Sequence, residues 1–188
     1  HLGLYGRDLK PLHTLEDLMI QLTEKSRVGR LRLSSLDPGE VSTPLVKWLA
    51  SSTTACPHIH ISLQSGDNQV LRLMNRGYTV ELFRERIQEV IHSIPDVAIG
   101  VDIMGGFPGE DDDAYKRTYR LLEDLPLAYF HVFPFSPRPG TPAARFPGQV
   151  QPVEIRRRCA ELRKLGNKKR ECFARRFVGQ RMKVLVEG

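Results

Sequence analysis

Apolar positions along this chain alternate between two periods. Leu15, Leu18, Met19 and Leu22 recur at helical spacing behind Thr14 and Asp17, a residue pair that reads as a capping box. Arg30–Leu36 then alternates as a strand does. A short helix is predicted around Pro44–Ala50, with the proline suited to a first turn. His58–Leu63 alternates again with period two. Asp67 is placed to cap a helix over Asn68–Asn75, with Gly77 where a helix end favours a left-handed residue. Val80, Phe83, Ile87, Val90, Ile91 and Ile94 mark one face of a helix over 80–93. Ala98–Met104 is a mostly apolar run, predicting a strand covered on both faces. Glu110, Asp111, Asp112 and Asp113 put negative charge at the start of the next helix, and Ala128–Phe135 reads as another buried strand.

Strand and helix alternating four times over short connections predict an α/β fold with parallel strands and crossover helices. From Pro137 to Pro152 the pattern breaks: five prolines and two glycines in sixteen residues predict a rigid, irregular arm. Ile155, Cys159, Leu162, Phe173 and Phe177 then form the apolar stripe of a long helix, interrupted by Gly166 at a cost of about 1 kcal/mol relative to alanine. Met182–Glu187 reads as a final strand. The opening His1–Leu9 reads like a loop that follows a strand, and we expect the chain to be a piece of something longer.

Composition narrows the picture. With 188 residues, 40% apolar and 27% charged, the chain can bury roughly 70% of its unfolded surface in one core, and collagen, disulfide mini-proteins and wholesale disorder are excluded. No stretch reaches the ~20 apolar residues that span a bilayer, so a cytoplasmic protein without a membrane partner is expected. Of the net charge of +6, the segment Val153–Lys183 contributes more than its share, with twelve Lys/Arg against three Glu. Local basicity of this kind suits nucleic-acid phosphates, and it equally suits a solvated helix face.

Ligands of parallel sheets bind at the carboxyl ends of strands. The polar residues there are Ser34, Ser35, Asp37, Ser62, Gln64, Ser65, Asp102, Ser136 and Arg138. Asp102 lies inside an apolar strand, where burial is costly without partners, and it serves either a ligand or the backbone. His60 alternates with His58, one on each face of the strand, and a strand histidine is more often a core or surface residue than a ligand. Cys56, Cys159 and Cys172 are too scattered for a disulfide ladder or a metal knuckle. The turn Gly105-Gly106-Phe107-Pro108-Gly109-Glu110 lets backbone approach a ligand closely, although an ordinary strand-to-helix turn would look similar. No GxGxxG or GxxxxGK[ST] occurs.

Three segments in order resemble motifs of the radical-SAM methylthiotransferases: Ile61–Asp67 followed by Val70–Arg76, then Asp102–Glu110, then His131–Ala144. With the opening His1–Leu9, they look closest to the subgroup acting on threonylcarbamoyladenosine in tRNA. Sister subgroups act on isopentenyladenosine or on a ribosomal protein. The family's CxxxCxxC and its three further cluster cysteines are missing from this sequence.

The resemblance implies residues 1–136 as the C-terminal part of a radical-SAM partial barrel, 137–177 as the arm and helix completing it, and 178–188 as the truncated start of a TRAM RNA-binding barrel. It implies that the whole protein uses S-adenosyl-L-methionine and two 4Fe–4S clusters, held by an upstream part of the same polypeptide. This chain alone is expected to bind no cluster and to be inactive. Ser34, Ser62, Gln64, Asp102, Met104, Gly105 and Phe107 would contact the cofactor, while Phe133, Phe135 and Arg138 would face the nucleoside. Arg157, Lys164 and Lys168 would meet phosphates near the tRNA anticodon. A catalytically silent RNA-binding module is the reading of a different class.

Overall fold

In the computed structural model, which describes residues 2–33 and 35–185, four parallel strands lie side by side in chain order. They are β1 (Ser35–Leu36), β2 (His58–Gln64), β3 (Ala98–Gly105) and β4 (Tyr129–Pro134). Among the described residues six α-helices precede, connect or follow them: α1 (Leu15–Lys25), α2 (Thr43–Ser51), α3 (Asn68–Leu73), α4 (Val80–Ser93), α5 (Asp112–Asp124) and α6 (Pro152–Arg175). None of these is long and apolar enough to cross a membrane.

The caps expected from the sequence are made. Thr14 accepts from the Asp17 amide while the Asp17 carboxylate accepts from the Thr14 amide, and Asp67 accepts from the Gln69 and Val70 amides at 2.9 Å. One face of the sheet is dry. Ile59, Ile61, Leu63, Ile99, Val101 and Ile103 are fully buried there with Phe83 and Ile87 of α4 and Leu121 and Leu122 of α5.

Five expectations are corrected. The strand expected over Arg30–Leu36 pairs only at Ser35 and Leu36, with an isolated bridge from Leu31 to Ala55. The left-handed residue after α3 is Asn75 (φ 56°) rather than Gly77. β3 and β4 are covered on one face only: Asp102 and Met104 are half-buried and His131 and Phe133 exposed, while their neighbours pack inward. The basic helix stops at Arg175. Met182–Leu185 form no strand, and Val186 and Glu187 lie outside the described residues. Gly166 also has a reason. A Cβ there would stand 3.0 Å from the Phe130 ring, so the glycine allows α6 to lie close on β4.

Candidate functional site

The face of the sheet opposite the helices is polar because of period two. His58, His60 and Ser62 point to it from β2, so the two histidines share one face where one on each was expected, with Asp102 and Met104 from β3 and Tyr129, His131 and Phe133 from β4. With Arg32, Leu33 and Ser35, all of these except Ser62 and Met104 line an open cleft of about 530 Å3. Register sets their neighbours: Ser62 pairs with Asp102, and Asp102 with His131. Ser35 Oγ lies 2.7 Å from Ser62 Oγ and donates to Asp102 Oδ2 at 3.4 Å. Asp102 Oδ1 lies 2.9 Å from His60 Nε2 and 3.2 Å from His131 Nδ1.

Below this row, Tyr129 Oη contacts His58 Nε2 (2.8 Å) and His60 Nδ1 (3.0 Å), and Arg32 Nε donates to His58 Nδ1 at 3.2 Å. Tyr129 reaches across β3 because residue 100 is glycine; a Cβ there would stand 2.2 Å from the ring's Cζ. Burial raises the Tyr129 phenol above its usual range.

Burial, then the nearby Arg32 and His60, hold the His58 imidazole down to about 4. The unfolded chain therefore takes up this proton first. The associated stability is present above pH 6.5 and is lost as pH falls toward 4. Denaturant unfolding should show wild type losing about 2 kcal/mol more than His58→Gln over that interval. Equal pH slopes for the two proteins would refute a neutral His58.

The residues expected at the cofactor divide between two places. Ser62 and Asp102 pair in register beside the polar cleft. Gln64, at a bulge with φ 64°, lines a more apolar cleft of about 420 Å3 with Met104, Phe107, Leu73 and Phe146. Met104 pairs in register with Phe133, so the two clefts adjoin. Gly105 is tightly backed by Cys159 Sγ. Ser34 lies outside the described residues.

The substrate set is also divided. Phe133 is exposed in the polar cleft, Phe135 packs edge-on against Phe107 with centroids 5.2 Å apart, and Arg138 sits in an exposed turn. On α6, Lys164 and Lys168 are exposed and make no ion pair among the described residues. Arg157 is held by Glu154 (2.8 Å) and Glu161 (2.7 Å). Sequence reasoning missed Arg32, Tyr129 and His131. The signal was present in Tyr129-x-His131-x-Phe133, which puts three cleft-lining side chains on one face of an apparently buried strand.

The set of hydroxyls and a carboxylate in the polar cleft fits the ribose and aminoacyl groups of S-adenosylmethionine. The thiols do not fit an iron–sulfur cluster. Cys159 is buried in α6, Cys172 is exposed, Cys56 precedes β2, and no cysteine joins a convergent ligand group among the described residues.

This open polar sheet end belongs with a profile match to the radical SAM superfamily over residues 12–122, and the chain belongs to that superfamily. Within it, the chain is 35% identical over 185 residues to the threonylcarbamoyladenosine tRNA methylthiotransferase MtaB of Aquifex aeolicus, covering 98% of this chain and 45% of that protein. It is 36% identical over 187 residues to the MtaB of Thermotoga maritima, covering 100% and 43%. These similarities bear out the resemblance read from the motifs. The chain spans less than half the length of these relatives. An archaeal Elp3 from Methanocaldococcus infernus, with an N-terminal deletion, shares the fold at TM-score 0.54 and 18% identity, over 89% of this chain and 47% of that one.

Proposed function

We propose that this chain is part of a radical SAM tRNA methylthiotransferase, and that the whole enzyme inserts a methylthio group into threonylcarbamoyladenosine beside the anticodon. The observation that carries the reading is the similarity to the MtaB proteins over nearly all of this chain. On this reading the four strands are part of a partial barrel spanning 1–136, closed by the arm and helix of 137–177. The cluster ligands belong to an upstream part of the same polypeptide, so the chain alone binds no cluster and is inactive.

S-Adenosylmethionine, when bound and reductively cleaved, supplies a radical that removes hydrogen from the nucleoside. The protein's contribution is binding and orientation. Ser35 and Ser62 can donate to ribose or carboxylate oxygens, and Asp102 Oδ2 can accept from a ribose hydroxyl or an ammonium. Phe133 offers an exposed ring to the base, where stacking contributes roughly 1–3 kcal/mol.

The test is the nucleoside content of tRNA from cells whose gene for the whole protein is deleted, or carries Asp102→Ala. Loss of the methylthio form, with threonylcarbamoyladenosine retained, is the expected result. Loss from isopentenyladenosine or from a ribosomal protein would move the enzyme to a sister subgroup. No change in any of these would leave an RNA-binding module.

The basic helix gives a second test. Lys164 and Lys168, which make no ion pair among the described residues, should meet tRNA phosphates, whereas the charge of Arg157 is already answered by two glutamates. Lys164→Ala with Lys168→Ala should flatten the slope of log affinity against log salt by about two, for all tRNAs alike. Arg157→Ala should change it less. An unchanged slope in the double variant would mean that this face is only solvated.

A further inference from the structure

His60, Asp102 and His131 come from three adjoining strands and bring three potential ligand atoms close together. We propose that they form a binding site for a single divalent first-row transition-metal ion. The three atoms, His60 Nε2, Asp102 Oδ1 and His131 Nδ1, lie within 4.8 Å of one another. An ion with N and O ligands at about 2.0–2.1 Å holds adjacent ligand atoms about 2.9 Å apart in octahedral geometry and about 3.4 Å apart in tetrahedral geometry. The two spacings to Asp102 Oδ1, 2.9 and 3.2 Å, fall within that interval.

Two further features separate this cluster from a chance meeting of polar groups. The second nitrogen of His60 is anchored 3.0 Å from Tyr129 Oη, the orienting contact that a ligating imidazole needs. The second oxygen of Asp102 accepts from Ser35. Three ligands from one sheet face also leave the remaining coordination positions open toward the cleft. Two imidazoles and one carboxylate in that arrangement suit Fe(II), Co(II), Zn(II) or Mn(II), and are poor for Ca(II) or Mg(II), which take oxygen ligands. The open positions would take water or the oxygen atoms of a small carboxylate or carbonyl ligand. This inference stands apart from the proposed function and does not depend on the chain acting on tRNA.

The alternative is that Asp102 only accepts hydrogen bonds from the two imidazoles, and a titration distinguishes the two. The protein, stripped of metal, is titrated with Zn(II) by calorimetry and with Co(II) by visible absorption. One ion per chain is expected, with affinity rising with pH as the ligands lose protons. His131→Ala and Asp102→Asn should each weaken binding roughly tenfold or more, and Tyr129→Phe should weaken it less. His131 is an exposed side chain, so its loss leaves folding intact, which circular dichroism checks. Cys56→Ser and Cys172→Ser should leave binding unchanged. Affinity unaltered by His131→Ala, or binding lost with either cysteine, overturns the site.

Discussion

Replacing Arg158 by methionine should lower the free energy of unfolding by about 3–5 kcal/mol, read from urea denaturation at neutral pH. Arg158 is 4% exposed, and its Nη1 donates to the Glu110 carboxylate at 2.9 Å and to the Glu110 carbonyl at 2.7 Å. Nη2 donates to Asp112 at 2.7 Å, and the guanidinium lies over the Tyr115 ring. Glu110 is itself buried and accepts from the Gly106 amide at 3.0 Å, so this one carboxylate pins the turn after β3. Methionine keeps the apolar stem and leaves that carboxylate without a counter-charge. Burial already raises the Glu110 pKa above 4.5 with Arg158 in place. In the variant the folded protein takes up this proton before the unfolded chain does. The deficit should therefore be largest at neutral pH and shrink as pH falls. Adding Glu110→Gln should recover much of the loss. A deficit below about 1 kcal/mol would show that the pair contributes little.

Gly66→Ala should cost about 3 kcal/mol, the upper end for overpacking, because backbone stands in the way. A Cβ on Gly66 would lie 2.5 Å from Thr118 Cα and 3.2 Å from Thr118 N, and neither can retreat without moving α5. The Gly66 amide also donates to Thr118 Oγ1 at 2.9 Å. Beside it, Asp67 caps α3 and pairs with Arg117 of α5 at 2.7 Å. The Gln64-Ser65-Gly66-Asp67 motif is thus a joint between the end of β2 and α5. Gly77→Ala is the control, since a Cβ there meets nothing within 4 Å. Equal thermal melting of the two variants would show that α5 yields.

Local chemistry was legible in the sequence, and the pairing of distant groups was not. Thr14 and Asp17 announce a cap because the partners are three residues apart. His58–Leu63 announces a strand because its period is two. Asp102 was suspect as a lone acid in an apolar run, but its partners His60 and His131 arrive from other strands and no local pattern joins them. β4 read as buried because Phe130, Val132, Phe133 and Phe135 are apolar, yet burial depends on what covers each face. The charge of the last helix was visible, while its partition was not: Arg158 is buried on Glu110, Arg157 is tied to two glutamates, and Lys164 and Lys168 are left in solvent.

The polar face of the sheet has a head and a tail. A guanidinium only donates and a carboxylate only accepts. Taken from the Arg32 Nε donation to His58 Nδ1, the series runs one way, from Arg32 to His58, to Tyr129, to His60 and on to Asp102, and it sets Arg32 Nη2 donor against donor with His58 Nε2 at 2.9 Å. Tyr129 is the coupling, accepting on one side and donating on the other. A cation on His60 Nε2 would move that ring's proton to Nδ1, turn the Tyr129 hydroxyl toward His58, and set a His58 N–H against the guanidinium. Arg32, an exposed side chain, would then lose its Nε contact and keep only that of Nη2 with His58 Nε2. Occupancy in the middle of the sheet would be felt at its edge through a reversal of hydrogen-bond direction, with no movement of the backbone.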